Sequence, residues 1–357
     1  MSTPLPIGST IGILGGGQLG RMLSVAASRL GYKSHIFEPG ANPPAGQVAD
    51  QVTTAAYENE AALKAFADAV DVITYEFENI PTSALDILEA HRPIRPGREA
   101  LRVSQDRITE KDFLTGLGLK TAPYAQIDTA EDLAKAMTEI GTPSILKTRR
   151  FGYDGKGQVR LSEDTDPAVA MEEVAGAPSV LEGFVNFSHE VSVIAARGTT
   201  GEVACFDPGE NVHEGGILRT TTVPARLPGS MRMDAVLMAS QILNALDYVG
   251  VLGVELFVTK DGLIVNEIAP RVHNSGHWTQ NGCAVDQFEQ HIRAVVGLPL
   301  GDGKRHNDVV MENLIGEDMD RVPDLLKEPH VAVHLYGKAD VKAGRKMGHV
   351  NRVTPAG

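Results

Sequence analysis

Two apolar runs flank Lys260-Asp261-Gly262, and this arrangement predicts a β-hairpin. A three-residue loop with its glycine in the left-handed conformation pairs Thr259 with Leu263. Counting back along the ladder places Glu255 opposite Glu267. Because directly opposed like charges destabilise a sheet, the pair indicates a cation site, and Mg²⁺ binds through one or two carboxylates plus substrate phosphates. A solvated outer face of a sheet is the alternative interpretation.

The composition is that of a globular protein with two or three domains. The chain has 357 residues, of which 42% are hydrophobic and 22% charged. Its net charge of −13 argues against general binding to nucleic acid or to anionic membranes. No apolar run approaches the ~20 residues of a membrane span, and Cys205 and Cys283 form neither a zinc pattern nor a disulfide framework. We therefore expect a cytoplasmic protein that binds neither nucleic acid nor a membrane.

Predicted strands and helices alternate through the first hundred residues, which indicates a parallel sheet covered by helices. A Pro- and Gly-rich break at His91–Gly97 ends this unit. We divide the chain into an N-terminal Rossmann-like domain (1–100), a central domain (101–300) with a subdomain at about 121–186, and a C-terminal β-rich lobe (301–357). The fold class is thus α/β and α+β, and the last segment is expected to form a hairpin around Ala343-Gly344.

A glycine-rich turn follows the first predicted strand. Gly15–Gly20 matches G-x-G-x-x-G, and Glu38 ends the next strand at the separation expected of a ribose-binding acid. Backbone N–H groups in such a turn can hold an anion at a helix N-terminus. Three interpretations stay open: an NAD site, a site for another phosphorylated small molecule, and tight packing of a helix on a strand.

A second glycine-rich segment, Gly152–Gln158, follows the strand that ends near Lys147. A lysine at a strand end can act as a point charge on phosphate oxygens, and the N–H groups of the glycine-rich segment could cover them. This segment, which we call the flap, is not the G-x-x-x-x-G-K-[ST] phosphate loop, because no helix opens after it. A surface hairpin is the alternative.

Two polar segments lie further along the chain. Glu182–Val185 lies at the end of a predicted strand and suits adenine binding, with Glu190 as a candidate for ribose hydroxyls, although such tetrapeptides are common in loops. Asn266–His277 extends beyond the second hairpin strand, and Arg271 within it could hold negative charge that develops on a phosphoryl group. For His277 and Trp278, simple packing is the preferred interpretation.

Taken in order, the strand-end lysine, the flap, E-G-F-V and the two glutamates with N-E-I-A-P-R resemble the ATP-grasp superfamily. Within it, the chain is similar to the 5-(carboxyamino)imidazole ribonucleotide synthase family. The strings that carry this similarity span nearly the whole chain: GILGGGQLGRM, YEFENIP, QDRITEK, KTRRFGYDGKGQ, EGFVNFSHEVSV, NEIAPRVHNSGHWT and GRKMGHVN.

The resemblance implies an ATP-grasp fold with a Rossmann-like N-terminal domain and a small C-terminal β-rich lobe. It implies a homodimeric carbon–nitrogen ligase of de novo purine biosynthesis. The reaction would be the carboxylation of 5-aminoimidazole ribonucleotide with bicarbonate and ATP, releasing ADP and phosphate. Mg²⁺ would accompany ATP, and Mn²⁺ could replace it. The first glycine turn would then face the ribonucleotide rather than NAD.

The resemblance also assigns residues to the site, with Glu255 and Glu267 as the metal ligands. The residues that match nucleotide contacts are Arg107, Lys147, Gly152, Tyr153, Asp154, Gly155, Lys156, Gly157, Gln158, Glu182, Gly183, Phe184, Val185, Glu190, His213, Asn266 and Glu267. The candidates for the ribonucleotide are Gln18, Leu19, Glu76, Tyr153, Arg271, Arg345, Lys346 and Arg352, with the cations on its 5′-phosphate. Among the catalytic candidates, Asp154 would accept or orient a proton, and bicarbonate and phosphate would be held by Arg271, His273 and Asn274. For Lys346 and Arg352, an ordinary surface salt bridge is the alternative.

Three other functions stay open at this point. A biotin-carboxylase-like or formate-using purine ligase would share the ATP half and differ at GGGQLGRM, YEFEN and GRKMGHVN. An NAD-dependent oxidoreductase built on the first glycine turn has no use for Glu255 opposite Glu267. A non-catalytic nucleotide-binding regulator would bind Mg·ATP and release no phosphate.

Overall fold

The computed structural model describes residues 3–152 and 157–356, which form three β-sheets with helices on their faces. Across these two ranges, no helix has the length and apolar character needed to traverse a lipid bilayer.

The N-terminal sheet is parallel, as the alternation of strands and helices predicts, and its strands lie in the order β3-β2-β1-β4. The β1 and β4 strands are almost wholly buried, because helices cover a parallel sheet on both faces. The strands are β1 (Thr10–Leu14), β2 (Lys33–Phe37), β3 (Gln51–Thr53) and β4 (Val72–Tyr75). The helices are α1 (Gln18–Arg29), α2 (Glu60–Asp68), α3 (Thr82–Glu89) and α4 (Arg98–Ser104).

A second, smaller sheet carries the flap, and its strands are antiparallel in the order β5-β8-β6-β7. Leu133, Leu146 and Leu181 form its core beneath two helices. The strands are β5 (Tyr124–Ile127), β6 (Ser144–Thr148), β7 (Gln158–Leu161) and β8 (Ser179–Gly183). The helices of this region are α5 (Arg107–Gly116), α6 (Ala130–Ile140) and α7 (Pro167–Glu173).

The third sheet is antiparallel and follows the order β14-β13-β9-β11-β12-β15-β17-β16, with β10 paired to β9. We call it the central sheet, and the C-terminal strands β15, β16 and β17 extend it. The strands are β9 (His189–Arg197), β10 (Val203–Cys205), β11 (Gly209–Glu214), β12 (Ile217–Val223), β13 (Gly250–Thr259), β14 (Gly262–Ala269), β15 (Asn307–Ile315), β16 (Val331–Leu335) and β17 (Lys346–Pro355). The helices are α8 (Gly229–Ala245), α9 (Thr279–Gly282), α10 (Gln287–Val296) and α11 (Val322–Leu325). Short 3₁₀ helices cover Pro44–Gln47, Asn274–Gly276 and Gly316–Arg321.

The predicted hairpin around Ala343-Gly344 is wrong. The strand after it exists as β17, but β17 pairs with β15 and β16, and no strand immediately precedes Ala343 among the described residues. Gly344 has a φ of 73°, and the N–H of Arg345 donates to the carbonyl of Lys342 at 3.1 Å. The segment is therefore a turn at the end of a longer loop, which the local sequence does not distinguish from a hairpin.

Candidate active site

Glu255 and Glu267 do face each other across β13 and β14, although not by the predicted route. Thr259 pairs with Gly262 rather than with Leu263, so the turn has two residues where the sequence predicted three. The register then shifts between Glu255 and Leu256, which leaves Asn266 as an extra, bulged residue. The shorter turn and the bulge compensate each other, and the predicted opposition of the two glutamates is confirmed.

Two further glutamates, Glu110 and Glu190, lie close enough to this pair to interact with it electrostatically. Burial, and then the charge of Glu267, raise the pKa of Glu255 to about 7. Burial and Glu267 likewise raise the pKa of Glu110 to about 8, and Glu110 accepts the N–H of Ile268 at 2.6 Å. Arg107 Nη1 is 3.1 Å from Glu267 Oε2. A cation placed between the two opposed carboxylates would remove their repulsion.

Lys147 approaches from the sheet that carries the flap. Its Nζ donates to Glu182 Oε2 at 3.0 Å, and both residues belong to adjacent strands, β6 and β8. Glu182 is 4% exposed, so its side chain binds the Lys147 ammonium group from the protein interior.

A group of aromatic and polar residues lies on β9, β11 and β13 and in the segment just before β9. The rings of Phe187 and Phe257 stack with centroids 4.6 Å apart, and Glu190 lies opposite Phe257 in the sheet. Burial lowers the pKa of His213, but hydrogen bonding to Glu190 outweighs it, and the net pKa is raised. These residues form a flat apolar surface beside a charged pair, a combination suited to a nucleoside.

The N–H groups of the first glycine turn are already satisfied by the protein. The Glu76 carboxylate accepts the N–H groups of Gly17 and Gly20, and Glu38 accepts that of Gly16 at 2.8 Å. A pyrophosphate at the start of α1 would need these same donors. The interpretation of the turn as an NAD site therefore fails, although Glu76 itself lines the cleft described next.

One cleft of about 650 Å³ joins these groups, and it is lined by both antiparallel sheets and by α1 and the segment after β4 of the N-terminal domain. The predicted residues that line it are Gln18, Leu19, Glu76, Arg107, Lys147, Gly152, Gly157, Gln158, Phe184, Glu190, His213, Glu255, Asn266, Glu267, Arg271, His273, Asn274 and Lys346. Glu182 lies behind Lys147, whereas Gly183 and Val185 are not in the lining. Tyr153, Asp154, Gly155 and Lys156, which were also predicted to contact the ligands, lie outside the described residues.

Three family models match the chain in succession. They are the ribonucleotide synthetase preATP-grasp domain over residues 8–105, the ATP-grasp domain over 112–288, and the phosphoribosylaminoimidazole carboxylase C-terminal domain over 309–356. The N5-carboxyaminoimidazole ribonucleotide synthase of Brucella melitensis biotype 1 is 56% identical over 356 residues, which cover 99% of this chain and 98% of that protein.

The chain belongs to the N5-carboxyaminoimidazole ribonucleotide synthase family.

Solved structures of the synthase family agree in fold. A Staphylococcus aureus N5-carboxyaminoimidazole synthetase complexed with ADP superposes with a TM-score of 0.94 at 38% identity, covering 99% of this chain and 95% of that one. An Aspergillus clavatus synthase in complex with ADP and 5-aminoimidazole ribonucleotide gives 0.92 at 32% identity, covering 98% and 94%. The predicted ATP-grasp fold with an N-terminal parallel-sheet domain is confirmed, and the protein is an ATP-dependent ligase of purine biosynthesis.

In this synthase family member, His273 is held as a neutral hydrogen-bond donor. Burial, and then the cations Arg271 and Lys346, lower its pKa to about 3. Ser192 donates to the Ser275 hydroxyl, which is 2.8 Å from His273 Nδ1. The Ser275 hydroxyl therefore donates to Nδ1 and leaves the proton on Nε2, 3.6 Å from Glu255 Oε1.

Arg271 and Asn274 have partners that the sequence analysis missed. Arg271 Nε donates to Glu78 Oε2 at 2.7 Å. Asn274 exchanges two hydrogen bonds with Asn313, at 2.9 and 2.7 Å. The second acidic residue of YEFEN was a usable signal for Glu78, whereas nothing local to β15 points to Asn313.

Two cations predicted for the ribonucleotide phosphate lie away from the cleft lining. Arg352 is paired with Glu312 at 2.8 Å and with Glu328 at 3.2 Å, and Arg345 donates to the carbonyl of Asp340 at 3.1 Å. Leu314 pairs with Gly348 but Ile315 pairs with Lys346, so Met347 is an extra residue in β17. This irregularity puts Lys346 and Arg352 on opposite faces of the sheet.

Proposed function

We propose that this protein carboxylates the 5-amino group of 5-aminoimidazole ribonucleotide with bicarbonate, and that ATP is cleaved to ADP and phosphate. The observation that carries the proposal is that one cleft brings together Lys147 and the Glu255–Glu267 pair, from two different sheets, and Glu76, which directly follows β4 of the N-terminal sheet. The relative from A. clavatus binds ADP and 5-aminoimidazole ribonucleotide together, which supports placing two such ligands in one cleft here.

ATP would lie between the sheet that carries the flap and the central sheet. Phe187 and Phe257 offer a stacked surface for adenine, and Glu190 with His213 would hold the ribose. Lys147 and Arg107 would contact phosphate oxygens. The other nucleotide contacts are Glu182–Val185, Asn266 and the flap, including Tyr153–Lys156.

The donors present fit a Mg²⁺ ion, which Mn²⁺ could replace. Glu255 and Glu267 are opposed carboxylates, and Asn266 is bulged beside them. Within residues 3–152 and 157–356, no group of three or more His, Cys, Asp or Glu side chains could hold a metal unaided, so phosphate oxygens would complete the coordination. Such an ion, when bound, supplies positive charge to the phosphates.

The chemistry follows from these positions. An oxygen of bicarbonate attacks the γ-phosphorus, the bond to the β-phosphate oxygen breaks, and carboxyphosphate forms as ADP leaves. The amine then attacks the carbon of carboxyphosphate, or of CO₂ released from it, while phosphate leaves and the nitrogen loses a proton. Arg271 and the Nε2–H of His273 would hold the negative charge on bicarbonate, together with Asn274. Asp154 in the flap would take or orient the amine proton.

The ribonucleotide would lie between the N-terminal domain and β17. Gln18, Leu19 and Glu76 line the cleft at the start of α1, and Lys346 lines it from the C-terminal lobe. Two backbone N–H groups fix the Glu76 carboxylate, so it can receive a ribose hydroxyl or the amine without rearrangement. Lys346 would contact the 5′-phosphate.

The test is to incubate the protein with Mg·ATP, carbon-13-labelled bicarbonate and 5-aminoimidazole ribonucleotide. Phosphate release should require the ribonucleotide, and NMR should show a new labelled carbamate carbon. Lys147→Met is the control for a damaged nucleotide site. Steady turnover with an unrelated carboxylic acid but none with this ribonucleotide would indicate another ATP-grasp ligase, and ATP binding without phosphate release would indicate a regulator.

The protein would act as a homodimer in the cytoplasm, with boundaries near residues 100 and 300 between its three domains. The dimer rests on the family resemblance and is tested by sedimentation equilibrium at several protein concentrations, where a single monomeric mass would refute it.

A further inference from the structure

A second buried lysine shares the carboxylate that supports Lys147. Lys111 lies on α5 and is only 1% exposed. Its Nζ is 3.3 Å from Glu182 Oε1, while Lys147 Nζ is 3.0 Å from Glu182 Oε2. Each carboxylate oxygen therefore has its own ammonium group.

Folding alone does not explain this arrangement. A lysine is almost never fully buried without a partner, and one carboxylate already compensates one ammonium group. Glu182 with both lysines carries a net charge of +1. In the part of the chain that the structure describes, Lys111 Nζ has no aligned hydrogen-bond acceptor, so it contributes its charge rather than a directed bond.

The strand register places the Lys147 ammonium group, which carries part of this net positive charge, beside the cleft. Glu182 pairs with Ile145 across β6 and β8, so Lys147, two residues further on, projects from the same face. Burial raises the pKa of Glu182, but Lys147 and then Lys111 outweigh it and leave the pKa below its ordinary value. Lys147 lines the cleft, whereas Lys111 does not.

We propose that Lys111 is a positioning residue: it neutralises Glu182 from behind, so that the Lys147 ammonium keeps its charge for the nucleotide phosphates. The inference rests on the proposed contact between Lys147 and phosphate. When Lys147 turns toward a phosphate, Glu182 stays paired with Lys111. Without Lys111, Glu182 and Lys147 form a closed neutral pair that competes with the nucleotide.

The test is to measure dissociation constants of ATP and adenosine for Lys111→Met. ATP should bind about tenfold more weakly, and adenosine, which has no phosphate, should bind as to the unaltered protein. Lys111→Arg keeps the charge and should return ATP affinity to within about threefold. Tyr124→Phe is the matched control, because Tyr124 Oη also joins α5 to this sheet, through Asp112 at 2.6 Å, and its loss removes no charge.

A double-mutant cycle separates this role from a structural one. In a Glu182→Gln background, Lys111→Met should change ATP affinity by less than about twofold, because its effect passes through the carboxylate. Equal losses for ATP and adenosine, or the same loss in both backgrounds, would overturn the inference. If Lys111→Met fails to fold by circular dichroism, Lys111→Gln takes its place in every arm.

Lys147→Met distinguishes failure here from failure of the proposed function. If Lys147→Met binds ATP normally, the phosphate contact itself is wrong. If Lys147→Met loses ATP but Lys111→Met does not, only the role of Lys111 is refuted.

Discussion

His291 Nδ1 accepts the backbone N–H of Val251 at 3.0 Å, deep between α10 and the central sheet. The opposite ring nitrogen, Nε2, is 2.7 Å from the hydroxyl of Thr74 and donates to it. Because Nδ1 already accepts a hydrogen bond, a second proton has no place on this ring. Burial accordingly lowers the pKa of His291 to about 3.

This relationship predicts acid sensitivity. The folded pKa lies below the unfolded value of about 6.5, so the unfolded state binds one more proton between these limits and stability falls as pH decreases. The free energy of unfolding should lose about 1.4 kcal/mol per pH unit from this site alone. When urea unfolding is measured from pH 6 to 4, His291→Gln should reduce the dependence of the free energy of unfolding on pH by the amount expected for one proton. His306→Gln, at an exposed position, should leave that dependence unchanged.

Glu255→Gln should make the metal-free protein more stable and the enzyme inactive. Burial, and then the opposed charge of Glu267, raise the folded pKa of Glu255 to about 7, above its unfolded value. Its ionisation therefore destabilises the fold as pH rises from the unfolded pKa to about 7. At pH 8 with EDTA, the melting temperature should rise by about 3 °C, and phosphate release should fall at least about 100-fold. A melting temperature below that of the unaltered protein would contradict the repulsion, and Glu58→Gln, on the exposed surface, controls for general charge.

Glu267→Gln should abolish turnover with the fold retained. The amide keeps the shape of the side chain and could still contact Arg107. It removes one of the two carboxylates proposed to bind the metal. Phosphate release and circular dichroism are the two measurements. Normal phosphate release would remove the proposed metal site.

Lys346→Ala and Arg352→Ala should differ in their effect on KM for the ribonucleotide. Lys346 lines the cleft, so its loss should raise KM for the ribonucleotide about tenfold or more. Arg352 is tied to Glu312 and Glu328 on the other face, so its loss should leave KM within about twofold and cost no more than about 1 kcal/mol of stability. Steady-state kinetics with varied ribonucleotide concentration measures both KM values. A raised KM for Arg352→Ala would indicate that Arg352 contacts the 5′-phosphate after all.

Asp154→Asn should lower kcat more than it weakens ATP binding, because the proposed role concerns the proton of the amine and not the nucleotide. Single-turnover phosphate release and an ATP dissociation constant provide the comparison. Unchanged turnover would show that Asp154 has no part in the reaction.

Local sequence patterns predicted the parallel N-terminal sheet and the hairpin of β13 and β14, because alternation and turn residues depend on neighbours in the sequence. The same local patterns did not predict irregularities in strand register. The bulge at Asn266 restored a pairing that the wrong turn length would have shifted, and the extra residue Met347 separated Lys346 from Arg352. Such irregularities depend on packing across the sheet, which the local sequence does not encode.

The ligand of the first glycine turn could not be predicted from local sequence either. Its spacing is compatible with an anion site, and what decides is whether distant carboxylates occupy its N–H groups. Glu76 follows Gly17 by 59 positions, so the contact belongs to tertiary structure. The same holds for Lys111, whose partner Glu182 is on another element.

Because β15–β17 continue the central sheet, Glu255 and Lys346 stand on one hydrogen-bonded floor. The distance between the carboxylate pair and the cation proposed for the ribonucleotide phosphate is therefore set by hydrogen bonds between strands rather than by a hinge between separate domains. We therefore expect the two ends of the cleft to keep a fixed separation while ligands enter and leave.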